Sequence, residues 1–140
     1  MTAVDWFSEF ESLTFPRSGN IVYIIGIQKG PVFHPIYVGE SSRHVGRFGD
    51  YVSGKFSAST DFKVGQAAAY LLERGYDIVI KYSPAADRKG EQACLIDELQ
   101  SQGLRLLNQL EGYIYRTADR DLELKKIRAF VNDLLAQRNL

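Results

Sequence analysis

The sequence predicts a small α+β domain, with a three-stranded, largely antiparallel sheet flanked by helices. β-branched and aromatic runs centre on Tyr23, Tyr37 and Val79, segments with helical apolar spacing lie between and after them, and turn-forming residues such as Gly30-Pro31, Gly75 and Gly103 separate the elements. With 140 residues, 45% of them hydrophobic, the chain can bury one core but is short for two, so residues 1–140 read as a single domain.

Taken in order, Trp6, Phe7, Phe10 and Leu13 recur at helical spacing behind Asp5 as a cap and predict an N-terminal helix within residues 1–15, broken by Pro16, Ser18 and Gly19. Ile21–Ile25 and Pro35–Val38 predict two antiparallel strands joined through Gly30-Pro31. From Ser42 to about Ser53 a helical pattern is interrupted by Gly46 and Gly49, each costing about 1 kcal/mol relative to alanine, a cost that close backbone or ligand approach would explain. Asp61–Arg74 reads as a helix closed by Gly75, and Tyr76–Tyr82 alternates as the third strand. Ser83-Pro84 or Asp87 opens the next helix, whose apolar stripe of Leu95, Ile96 and Leu99 ends near Gly103. The last helix, over residues 117–139, has Ile127, Phe130, Val131 and Leu134 on one face, with Asp119 and Asp121 early and Arg138 late, as the helix dipole favours.

Seventeen basic and seventeen acidic residues leave no net charge, which excludes a histone-like electrostatic binder but not a local basic cleft. Arg43, Arg47, Lys55 and Lys63, with Lys81, Arg88 and Lys89 beyond, could line one side of the sheet and meet a phosphate backbone; dispersed solubilising charge explains them equally well. The single cysteine, Cys94, rules out an intrachain disulfide and a multi-cysteine zinc site. The N-terminus carries Asp5, Glu9 and Glu11 rather than a basic run, and no apolar run reaches spanning length, so the expectation is a cytoplasmic protein with neither a secretion signal nor a membrane anchor. His34 and His44 lack metal-ligand spacing, and Ser41-Ser42 has no accompanying histidine and carboxylate pattern.

Two tyrosine-bearing strands alone point no further than sheet packing. The joint order of several residues does. Asn20-Ile21-Val22-Tyr23-Ile24 and Ile36-Tyr37-Val38-Gly39-Glu40-Ser41 resemble the two halves of the signature of the GIY-YIG nuclease superfamily, although the first family glycine falls on Ile21 and valine replaces isoleucine in the second half. Arg47 falls where that family carries its arginine, and Tyr51, four residues on and on the same helix face, falls where it carries histidine or tyrosine. Gly90-Glu91-Gln92-Ala93-Cys94-Leu95-Ile96 resembles the family's metal-binding helix, and Leu106-Leu107-Asn108 its asparagine turn. The tyrosines are a few residues further apart than is common, which a longer hairpin loop absorbs, and Glu91 and Asn108 are also further apart than in compact members. The resemblance spans Asn20 to Asn108.

It implies a GIY-YIG-like core over residues 20–108 and a metal-dependent endonuclease acting on nucleic acid, with DNA as the expected substrate. In that scheme Tyr23 is the general base towards water, which requires its phenol to ionise below a normal pKa of about 10 through a nearby cation or metal-bound water. Glu91 holds one Mg²⁺ or Mn²⁺, with Glu98 on the same helix as the rival ligand. Arg47 offers a planar fork to phosphate oxygens, Tyr37 and Tyr51 position water or phosphate, and Asn108 fixes the turn or the glutamate helix. Gly39, Arg43, Lys55 and Lys63 complete the expected nucleic-acid contacts. The alternative is a catalytically inactive module of the same fold that binds nucleic acid or protein.

Overall fold

The structure, a computed structural model, describes residues 1–5, 20–42, 59–110 and 120–140. Four strands, β1 (Thr2–Asp5), β2 (Ile21–Lys29), β3 (Val32–Ser41) and β4 (Asp77–Pro84), form one sheet in the order β1-β4-β2-β3, with every pairing antiparallel. Strands β2, β3 and β4 are the three read from the sequence. Strand β1 corrects the reading of residues 1–15 as a helix: residues 2–5 pair with β4 from Thr2↔Tyr82 to Asp5↔Val79 and so continue the sheet. The rest of that N-terminal helix and the interrupted segment after Ser42 lie outside the described residues.

Among the described residues, three helices accompany the sheet: α1 (Ser59–Glu73), α2 (Arg88–Ser101) and α3 (Arg120–Gln137). Gly75, at φ +85°, takes the left-handed conformation that ends α1 with little steric cost. Asp87 caps α2 by accepting from Gly90 N at 3.1 Å, and residues 107–109 form a single 3₁₀ turn.

The period-two alternation of β2 divides the core into two layers. Ile21, Tyr23, Ile25 and Ile27 face one side with Ile36, Tyr37, Ile78 and Ile80, and are covered by Phe62, Val64, Ala67, Ala68 and Leu71 of α1 and Ile127, Phe130, Val131, Leu134 and Leu135 of α3. Val22, Ile24 and Val38 face the other side, under Leu99, Leu95 and Ile96 of α2. Helices therefore shield both faces, and β2 is buried from Ile21 to Ile27.

Edge strand β3 carries a bulge, its register shifting between Ile25 and Gly26 so that Ile25 meets Tyr37 while Gly26 meets Pro35. Proline lacks the N–H for a ladder bond and is tolerated at an edge. Its carbonyl accepts from Arg138 Nη1, while Arg138 Nη2 donates to Arg105 O at 2.6 Å, tying the C-terminal end to β3. No helix among the described residues is long and apolar enough to cross a membrane.

Candidate functional site

The antiparallel register sets Tyr23 directly opposite Gly39 and, on its other side, opposite Tyr82. A side chain at residue 39 would occupy the space of the Tyr23 ring: an added Cβ would lie 2.2 Å from Tyr23 Cζ and 2.4 Å from its hydroxyl oxygen. Gly39 is thus the slot across which the first-motif tyrosine lies. The same device recurs on the opposite sheet face, where a Cβ at Gly26 would lie 2.5 Å from the Phe33 ring. Tyr37, two residues before Gly39 and therefore on the same face, brings its ring centroid within 6.3 Å of that of Tyr23 at an interplanar angle of 49°. Both rings are buried, Tyr23 at 1% exposure and Tyr37 at 6%.

Lys63 belongs to this cluster. It projects from the start of α1 with its ammonium 6.0 Å from the Tyr37 ring centroid, and donates to Leu110 O over a long 3.4 Å. The residue is only 8% exposed, and burial pushes its pKa below the usual lysine value because the charged form loses hydration. The sequence reading set Lys63 among the residues that could line one side of the sheet and meet a phosphate backbone; in the fold it is buried beside the tyrosines.

Asn108 closes the edge of β3 with its amide. Its Oδ1 accepts from Val38 N at 2.9 Å and its Nδ2 donates to Val38 O at 2.7 Å, so one side chain pairs as a neighbouring strand would. Gln92 Nε2 adds a bond to the same carbonyl at 3.1 Å. These bonds give Asn108 the turn-fixing part and hold the strand between Tyr37 and Gly39. Gln92 was missed in the sequence, although it lies on the sheet-facing stripe with Leu95, Ile96 and Leu99.

Glu91 stands apart from the tyrosines. It is exposed in the first turn of α2, the helix that packs on the opposite sheet face. The start of α2 nevertheless lies at the sheet end nearest Tyr23. Ile21 pairs with both Ser41 and Pro84 there, Ala85 N donates to Asn20 O at 2.9 Å, and Arg88 of α2 pairs with Glu40 at 2.9 Å. Glu98, the rival ligand, is exposed two turns further along α2. No group of three or more metal-ligating side chains occurs among the described residues. One carboxylate suffices for a hard divalent ion that keeps most of its water, and exposed Glu91 meets that minimal requirement.

Of the expected site residues, the fold brings together Tyr23, Tyr37, Gly39 and Lys63, with Asn108 supporting their strand. It leaves Glu91 at the same end of the sheet on another helix. Arg43, Arg47, Tyr51 and Lys55 lie outside the described residues. Set against family models, curated proteins and solved structures, the chain finds no match in any of the three.

Proposed function

We propose that this chain is a metal-dependent endonuclease of the GIY-YIG kind, hydrolysing phosphodiester bonds in DNA. The observation that carries this reading is the pairing of Tyr23 with Gly39, with Tyr37 6.3 Å away. It gives the two halves of the motif a physical reason to occur together, because the second half supplies the slot that the first half's phenol occupies.

In this reading Tyr23 accepts the proton of the attacking water, and a positive charge nearby lowers the cost of its phenolate. Lys63, beside Tyr37, is such a charge within the described residues. Arg47 would hold non-bridging phosphate oxygens, and Tyr51 and Tyr37 would orient water or phosphate. Glu91 is the residue that would hold one Mg²⁺ or Mn²⁺, an ion that when bound polarises a phosphate oxygen and assists the leaving group.

A second reading has its own observation. Both tyrosines are almost wholly buried, and the helix bearing Glu91 packs on the opposite sheet face, as suits a non-catalytic module that keeps the fold and binds nucleic acid or protein. Incubation with supercoiled plasmid in Mg²⁺, Mn²⁺ or chelator separates the two. The nuclease reading expects nicking that the chelator abolishes, whereas binding without turnover favours the module. Glu91→Gln should remove metal-dependent nicking while Glu98→Gln keeps it; the reverse pattern would identify Glu98 as the ligand.

A further inference from the structure

On the outer rim of the layer that covers the tyrosine face, α1 and α3 assemble a second cluster. Tyr70 lies in the last turn of α1 and Arg74 is the residue just past its end, four positions on, while Arg128 and Asn132 are one turn apart on α3. The Tyr70 hydroxyl donates to Asn132 Oδ1 at 2.8 Å; Arg74 Nη1 donates to the Tyr70 oxygen at 2.9 Å and to Asn132 Oδ1 at 2.8 Å. The Arg74 and Arg128 guanidinium carbons lie 5.5 and 5.6 Å from the centroid of the same tyrosine ring.

Two features separate this cluster from dispersed surface charge. Neither arginine meets a carboxylate among the described residues, where the ion pairs join Arg88 to Glu40 and Lys126 to Glu123. Two like charges are therefore held around one ring with no neutralising carboxylate among the described residues. The hydrogen bonds also consume acceptors and leave donors: the Tyr70 oxygen and Asn132 Oδ1 are engaged within the cluster. The Arg128 fork, the remaining Arg74 N–H groups and the Asn132 amide N–H groups have no acceptor among the described residues. A surface offering only N–H donors and positive charge selects an oxyanion. Burial acts to raise the Tyr70 pKa, but the hydrogen bond its oxygen accepts from Arg74 and the positive charges of Arg74 and Arg128 bring the net value below that of an ordinary phenol. Negative charge is thus favoured at this position.

We propose that Tyr70, Arg74, Arg128 and Asn132 form a clamp for the phosphodiester backbone of nucleic acid, a docking point separate from the tyrosine site. This rests on the nucleic-acid reading above. Charge complementarity supports that occupant: both guanidinium groups are exposed, one at the end of α1 and one on α3, and neither meets a carboxylate among the described residues, which suits the successive negative charges of a phosphodiester backbone. Such contacts position a substrate without reading its sequence.

The test measures binding of a fluorescein-labelled DNA duplex by anisotropy, in chelator to prevent cleavage, across a series of salt concentrations. For Arg74→Ala/Arg128→Ala the log–log salt slope should become shallower by about 2, about 1 per lost phosphate contact, and binding should weaken equally on unrelated sequences. Arg74→Lys/Arg128→Lys, which keeps the charge, should retain most of the slope and guards against loss of fold in the alanine variant. If the wild type binds duplex and the alanine variant keeps its slope and affinity, the clamp is wrong while the functional reading stands. If the wild type binds no duplex, the functional reading fails and takes the clamp with it. Inorganic phosphate binding that differs between wild type and variant, with no difference on DNA, would assign the cluster to free phosphate and overturn the proposal.

Discussion

Gly39→Ala places one methyl group where the structure already has a ring. The new Cβ would stand 2.2 Å from Tyr23 Cζ, 2.4 Å from its hydroxyl oxygen and 2.6 Å from Cε2. Carbon atoms in contact sit about 3.5–4.0 Å apart, so the ring must retreat by about 1.3–1.8 Å. There is little room for that: Tyr23 is 1% exposed, Tyr37 stands beside it and Tyr82 is its partner on β4. Overpacking of this kind costs about 1–3 kcal/mol. At roughly 4 °C per kcal/mol for a chain of this length, Tm should fall by roughly 4–12 °C. The assay is thermal unfolding followed by circular dichroism, repeated in a Tyr23→Leu background, which removes all three clashing atoms. In that background the added methyl should cost at most a few tenths of a kcal/mol, because the coupling between the two positions has gone. An equal cost in both backgrounds, or none in either, would refute the slot geometry.

Other consequences can be read in the same way. Asn108→Ala removes both amide bonds to Val38, a residue that is wholly buried; stability measured in urea should fall by about 1–3 kcal/mol. Lys63→Met removes a buried ammonium held by one long hydrogen bond. Because burial lowers the folded-state pKa, the unfolded chain binds the proton more tightly, so the charge costs stability at neutral pH and the cost fades as pH rises through the folded pKa towards the unfolded value. The methionine variant should therefore be more stable than wild type at pH 7, with the gap in urea midpoint narrowing by pH 10, and it should also lose nicking activity. A destabilised variant, or a gap independent of pH, would count against the buried charge.

Much of the fold was legible because local patterns and packing agree. The Ile21–Ile25 run sits in β2, the alternation after Tyr76 forms β4, and the apolar face of Ile127, Phe130, Val131 and Leu134 is the buried face of α3. Strands β2 and β3 extend beyond their apolar centres, because Gln28, Lys29, Phe33 and His34 are ordered by ladder pairing across the hairpin rather than by their own propensity. Strand β1 was missed for a related reason: four residues near the start of the chain carry little local signal, and their partner β4 lies over seventy residues away. At the candidate site, the sequence supplied Tyr23, Tyr37, Gly39 and Asn108 but not why they belong together. The slot at Gly39 and the amide bridge to Val38 exist only once the strands are in register. Lys63 was misplaced because composition suggests that lysine lies outward, while its position at the start of α1 directs it to Tyr37. Glu91 carries no local sign of which sheet face its helix will cover.

The most direct test of the central claim is the rate of Mg²⁺-dependent plasmid nicking by wild type and by Tyr23→Phe, which keeps the ring across Gly39 and removes only the hydroxyl. The account expects wild-type nicking that stops in chelator, and a rate lower by about 10²–10⁴-fold in the phenylalanine variant when both are assayed well below the Tm of either protein. Nicking by Tyr23→Phe at the wild-type rate, or no nicking by the wild type in either Mg²⁺ or Mn²⁺, would contradict it.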